Sequence, residues 1–252
     1  MRASSSLPTA RQAEKVARAG GPEGTSTSAR RGGRLGNDEL NKAAGALERW
    51  RGASGTVTVV AIDGHGASGK STIAGQLSAV SGASVVRTDD FFLTGLGVPA
   101  GGGGRDLRSY YDVARLRNEA LGPLRAGREA CYHPFDWDTG RLSPAREHVA
   151  PSSLVILEGV YSAAPELSDL VDWAIYVDTP EPERLGRLRE RIAPEDWDRD
   201  WLRAEKEYFA RVRSVGSFDL VIRGTAPTVP REARTPGQGR RAGKSSTRPG
   251  ER

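Results

Sequence analysis

Five short apolar runs punctuate the middle of the chain, separated by stretches whose apolar residues recur at helical spacing. The first, TVTVVAID over 56–63, is continuous, β-branched and ends at a glycine-rich turn. A run without polar alternation suits a strand buried on both faces of a parallel sheet. ASVVRTD (83–89), SSLVILEGVY (152–161), DWAIYVDT (172–179) and FDLVIRG (218–224) repeat the pattern. Helices are predicted between them over 70–79, 111–125, 165–171, 180–192 and 198–213. One more is predicted ahead of the first strand, over 38–50, with Asp38 as N-cap and Leu40, Ala44, Leu47 and Trp50 on one face. Strands alternating with helices define an α/β fold, a three-layer arrangement of a five-stranded parallel sheet with helices on both faces.

Outside this pattern the composition changes. Residues 1–36 and 226–252 are rich in Ser, Gly, Ala, Pro and Arg and hold few aliphatic residues. Such segments bury too little apolar surface to offset the entropy of ordering them. The expected organisation is a disordered basic arm over 1–36, one folded domain over 37–225, and a disordered basic tail over 226–252. The low mean hydropathy of −0.51 follows from the two ends. Each end carries seven Lys/Arg against two Asp/Glu, so they hold +10 together, while the whole chain is +5 and the middle −5. The basic charge thus belongs to the ends rather than to a folded surface, and nucleic acid is not expected as a partner. The single cysteine, Cys131, excludes an intrachain disulfide and suits a reducing cytoplasm. No apolar stretch reaches the roughly 18 residues of a membrane span, so no membrane partner is expected.

Candidate chemistry begins where the first strand ends. Gly64, His65, Gly66, Ala67, Ser68, Gly69, Lys70 and Ser71, followed by Thr72, fit G-x-x-x-x-G-K-[ST] between a buried strand and a helix. In that setting backbone N–H groups wrap a phosphate and the helix N-terminus adds partial positive charge. Lys70 is expected to reach the β- and γ-phosphates of ATP, and the Ser71 hydroxyl to ligate Mg²⁺. His65 is given no side-chain chemistry. LVILEGVY ends its strand in Glu158, a candidate second carboxylate on the metal side, where ligands bind in open α/β sheets. RTDDFF (87–92) places Asp89 and Asp90 side by side, a repulsive arrangement unless a cation or a proton relay uses it. Asp89 is the candidate general base for an acceptor hydroxyl, with a place beside the metal, and Asp90 is second. Nothing downstream matches the Asn-Lys-x-Asp guanine signature of GTP switches, so a small phosphoryl-transfer enzyme fits best.

The order of IDGHGASGKST, TDDFF, YYDVARLRNEALGPLRAG, YHPFDWDTGRL and VILEGVY resembles the uridine kinase and phosphoribulokinase-like branch of P-loop kinases, over roughly 55–225. The phrases between 105 and 161 carry its specific part. The resemblance implies ATP-dependent phosphorylation of a nucleoside 5′-hydroxyl, a small lid over the phosphates and a small-molecule acceptor, with a homo-oligomer as one available assembly. By motif match it places Asp89 as base, Asp112 on the ribose hydroxyls and Phe135 against the base, with Trp137 as a further stacking candidate. Lid arginines are sought among Arg184, Arg187, Arg189 and Arg191. Arg187 and Arg191, four residues apart on one helical face, are the chosen pair. Two departures stand out: Phe135 replaces the family's usual tyrosine, and Gly140 replaces a histidine that reads the base edge. A missing donor weakens discrimination between polar analogues. Pantothenate or a sugar phosphate as acceptor, or a nucleotide-binding regulatory module with little catalysis, are the alternatives.

Overall fold

The computed structural model describes residues 34–52, 55–93, 106–191 and 199–224. The basic arm and tail lie outside these residues, apart from the first turn of a helix. Strands β1 (Thr58–Asp63), β2 (Ser84–Arg87), β7 (Leu154–Glu158), β8 (Trp173–Asp178) and β9 (Leu220–Arg223) form one parallel sheet in the order β2-β7-β1-β8-β9. All five apolar runs are strands, each trimmed at its polar ends.

Two helices, α1 (Arg34–Trp50) and α2 (Lys70–Ser81), cover one face of the sheet. Ala43, Leu47, Ile73, Ala74 and Leu77 pack there on Val60, Ile62, Leu154, Ile156, Ile175 and Val177. The alternate strand residues Val59, Ala61, Val155, Leu157, Ala174 and Tyr176 face the other layer. That layer contains α3, built from Val113–Arg115, a π segment Leu116–Leu121 and Gly122–Arg125. It also contains α5 (Arg199–Glu207) with its π continuation Tyr208–Val212. Period-2 side-chain direction thus divides each strand between two cores, which is why these strands read as unbroken apolar runs.

Several local expectations differ from the structure. The first helix begins at Arg34, so Asp38 lies inside it and is not its N-cap. The helix expected over 165–171 is a single 3₁₀ turn, Pro165–Leu167. Two small antiparallel ribbons, β3 (Ala130–Tyr132) with β6 (Glu147–Val149) and β4 (Phe135–Asp136) with β5 (Arg141–Leu142), interrupt what read as loop. Helix α4 (Glu181–Arg191) follows β8, and residues 192–198, the middle of the expected lid, lie outside the described residues.

Candidate active site

Parallel register brings the chemistry together. Ile62 of β1 and Arg87 of β2 both pair with Glu158 of β7, so three strands end at one level. The turns that leave them carry Gly64–Ser71, Thr88–Asp90 and Gly159–Tyr161. β1 lies inside this sheet, between β7 and β8, and its carboxyl end is where open α/β sheets bind ligands.

Asp63 anchors the arrangement. It is fully buried, and its Oδ1 accepts from the N–H of Gly64 (2.8 Å) and of Tyr161 (3.1 Å). Its Oδ2 accepts from the Ala163 N–H and the Tyr208 hydroxyl, both at 3.0 Å. Burial raises its pKa, against the pull of those donors and of Lys70. The carboxyl ties the phosphate loop to the turn after β7. Gly64 has φ +148°, and a Cβ there would stand 2.7 Å from the Val177 carbonyl oxygen, so the loop can leave β1 only through glycine.

Within the loop, the Lys70 ammonium donates to the carbonyls of Gly64 (2.8 Å) and His65 (2.9 Å). Ser71 Oγ donates to Glu158 Oε2 at 3.1 Å, and Arg87 Nε lies 3.9 Å from Oε1 of the same carboxyl. Gly66, Ala67, Ser68, Gly69, Lys70 and Ser71 line a pocket whose far wall is Asp89, Glu158, Gly159, Val160 and Trp201. Thr72 follows on the first turn of α2. Asp89 is half-buried, with part of its surface on that pocket. Burial, followed by the Glu158 charge, pushes its pKa up to about 7, while Lys70 pulls it down. Burial also raises Asp90 to about 6, against the Tyr132 hydroxyl, which donates to its Oδ2 at 3.0 Å.

The residues assigned to an acceptor gather around Phe91 and Phe92. Phe135 and Trp137 stand with ring centroids 5.4 and 4.7 Å from Phe92. Asp112 is drawn in by its own N–H, which donates to the Phe91 carbonyl at 2.8 Å. Its Oδ1 accepts the Arg115 N–H at 3.0 Å and so caps α3. Gly140, at φ +67°, closes the β4–β5 turn by donating to the Asp136 carbonyl at 2.8 Å.

On the lid side, Arg187 donates to the Ala67 carbonyl at 3.1 Å. The Arg191 side chain lies outside the described residues. Arg184 is buried instead, 3.8 Å from Glu205. The His65 ring turns away from the loop's inner face, toward Glu205 and Phe209. Sequence reading assigned no role to Asp63, Glu205, Trp201 or Tyr208. An acid closing a wholly apolar run was a usable signal for Asp63. No local pattern separates Glu205 or Trp201 from an ordinary helical surface or core residue.

The residues fit a magnesium nucleotide. Mg²⁺ takes few protein oxygens and completes its shell with phosphate and water. A hydroxyl hydrogen-bonded to a carboxylate, beside a lysine and a row of loop N–H groups, matches that requirement. Among the described residues no cluster of three or more His, Cys, Asp or Glu forms a metal cage of its own. No helix among them is long and apolar enough to cross a membrane.

No protein-family model matches the sequence, and no curated protein matches it. Solved structures do share the fold. A possible uridine kinase from Bacillus stearothermophilus aligns with a TM-score of 0.57 at 22% identity, over 74% of this chain and 98% of that one. A candidate fructose transport system kinase from Silicibacter sp. TM1040 aligns with a TM-score of 0.55 at 25% identity, over 73% of this chain and 98% of that one. The fold is that of P-loop kinases. The chain shares with these kinases the α/β arrangement that the sequence resemblance implied.

Proposed function

We propose that the chain is an ATP-dependent small-molecule kinase whose acceptor is a neutral hydroxyl compound, a nucleoside such as uridine or cytidine. One observation carries this reading: a carboxyl raised to about 7, Asp89, shares a pocket with Lys70, Ser71 and Glu158 at the mouth of a phosphate loop. A base poised near neutral pH can take a hydroxyl proton and hold the oxygen for attack. The acceptor oxygen bonds to the γ-phosphorus, the bond to the departing ADP oxygen breaks, and the proton passes to Asp89. Lys70 and the loop Gly64–Thr72 hold the phosphates, through N–H groups other than those of Gly64, Gly66 and Ser68, which donate to Asp63, Glu205 and the His65 carbonyl. Ser71, Glu158 and Asp89 are the residues that would hold Mg²⁺, which when bound supplies positive charge to the phosphoryl oxygens. Arg187 and Arg191 are assigned to closing over them, while Arg184 is buried against Glu205.

Charge on the acceptor side supports a neutral acceptor. Asp89, Asp90 and Asp112 stand around the aromatic group. Among the described residues, Arg87 and Arg115 are engaged: Arg87 faces Glu158, and Arg115 donates to Glu119 and to the His133 carbonyl. A carboxylate or phosphate ester would meet acids there, which disfavours pantothenate and sugar phosphates. Asp112 is assigned to the ribose hydroxyls, and Phe135 with Trp137 to the flat base. A second reading, a free sugar acceptor, is favoured by Gly140, which offers no side chain to read a base edge.

ADP release from Mg-ATP tests the proposal against uridine, cytidine, fructose, pantothenate and pentose phosphates. Release that depends on uridine or cytidine is expected. Dependence on fructose alone selects the sugar reading. ATP binding with no acceptor-dependent release overturns the kinase assignment and leaves a nucleotide-binding module.

A further inference from the structure

Glu205 is a carboxylate with only 1% of its surface exposed, on a helix that otherwise buries Trp201 and Ala204. Buried carboxylates persist only where partners compensate, since an apolar side chain of similar size would pack without the desolvation cost. The partners of Glu205 all lead to the phosphate loop. Its Oε1 accepts the Gly66 N–H. Its Oε2 lies 3.1 Å from His65 Nδ1 and 3.8 Å from the Arg184 guanidinium of α4. Burial opposes its charge, yet His65, Arg184 and the Gly66 N–H together hold the carboxyl below the usual range.

The same side of the loop is gripped elsewhere. Arg187 donates to the Ala67 carbonyl and Thr179 donates to the Ser68 carbonyl at 2.8 Å. The His65 ring packs on Phe209, with centroids 4.5 Å apart. Glu205 therefore engages residues 65–66 next to the pocket lined by Gly66, Lys70, Asp89 and, one turn earlier on α5, Trp201. Its contact with Arg184 joins α4 to α5 at the point where both meet the loop.

We propose that Glu205 is a positioning residue for nucleotide binding, a latch between α5 and the outer rim of the phosphate loop that fixes the Gly66 N–H, His65 and Arg184 together. The inference rests on the nucleotide-binding reading of the loop. It makes the loop's shape depend on a contact far along the chain, so that α4, α5 and the nucleotide are energetically coupled. Loss of the latch weakens ATP binding and leaves the acceptor site, built around Phe91 and Phe92, as it was.

Calorimetric titration of ATP with Mg²⁺, without acceptor, on the full chain and its Glu205→Ala and Glu205→Gln variants tests this. Glu205→Ala should raise the ATP Kd roughly tenfold or more, as expected for losing a charge-assisted hydrogen bond. Glu205→Gln, which keeps the volume and an oxygen for the Gly66 N–H, should raise it less. His65→Ala in the Glu205→Ala background should add little, because the two act through one contact. In turnover the KM for ATP should rise while the KM for the acceptor stays within about twofold, a split that general loss of folded protein would not produce. If Glu205→Ala does not fold, Glu205→Gln and His65→Ala decide. Wild-type ATP affinity in the folded variants overturns the latch. A wild-type chain that binds no ATP overturns the nucleotide site, and the latch with it.

Discussion

As the proposed base, Asp89 combines two demands that pull against each other. A base must be ionised to take a proton, yet burial and the Glu158 charge hold its pKa near 7. The ionised fraction of the free protein then rises as pH increases through about 7, so kcat/KM should climb over that range and level off above it. Asp89→Asn keeps the shape and removes the base. Its kcat should fall by about 10²–10⁴ with ATP binding nearly intact, as measured by steady-state kinetics beside a binding titration. An unchanged kcat would take the base role from Asp89. Asp63 shows the opposite use of a buried acid. Its oxygens are occupied by four donors, so it holds backbone rather than transferring protons.

Elements carry these residues only because their ends coincide. Gly159 follows Glu158 directly, with φ +134°, and a Cβ there would collide with the Thr88 hydroxyl. Thr88 in turn donates to the Val160 carbonyl at 3.0 Å, joining the turns after β2 and β7. Gly159→Ala must therefore strain the backbone and push Thr88, and with it Asp89, out of register. It should cost about 1–3 kcal/mol in urea unfolding and lower kcat more than Asp63-linked loop geometry alone would explain. Wild-type stability and turnover would show that the two turns are not coupled. The five strands and the phosphate loop were legible because continuous β-branched runs and the Gly-Lys-Ser turn are local signals. The ribbons β3–β6 and β4–β5 were not, because strands of two or three residues have no period to read. Glu205 lies 139 residues from Gly66, and its role depends on a packing contact that no spacing encodes. Arg184 illustrates the same limit. Helical spacing offered it alongside Arg187, and only the position of α5 shows that it is buried.

At the scale of the whole molecule, the sheet concentrates acids at the carboxyl ends of its strands. Asp63, Asp89, Asp90 and Glu158 all have raised pKa values, with burial the leading cause in each. A group whose pKa is higher in the folded state binds its proton more tightly there than in the unfolded chain. Its stabilising contribution is complete below the unfolded value of 3.8 for Asp, and is lost as pH rises through about 6 for Asp90 and about 7 for Asp89. Asp172 and Glu205 are held below their ordinary values, so their contribution is lost instead as pH falls below about 4. The melting temperature should therefore peak on the acid side of neutrality, near pH 5, and decline toward pH 7.5. Asp89→Asn should flatten that decline. Mg-ATP at 100 times its Kd should raise stability at pH 7.5 by about 2.7 kcal/mol, or roughly 5–10 °C for a domain of this size, and EDTA should reverse part of it. A melting temperature that rises steadily to pH 8 would show that the acids are not strained by their burial. A decline that Mg-ATP does not offset would separate the acid cluster from the nucleotide. The site is thus expected to lose stability at the pH where it works, because buried acids placed to receive a proton and a cation bear the cost of desolvation until those arrive.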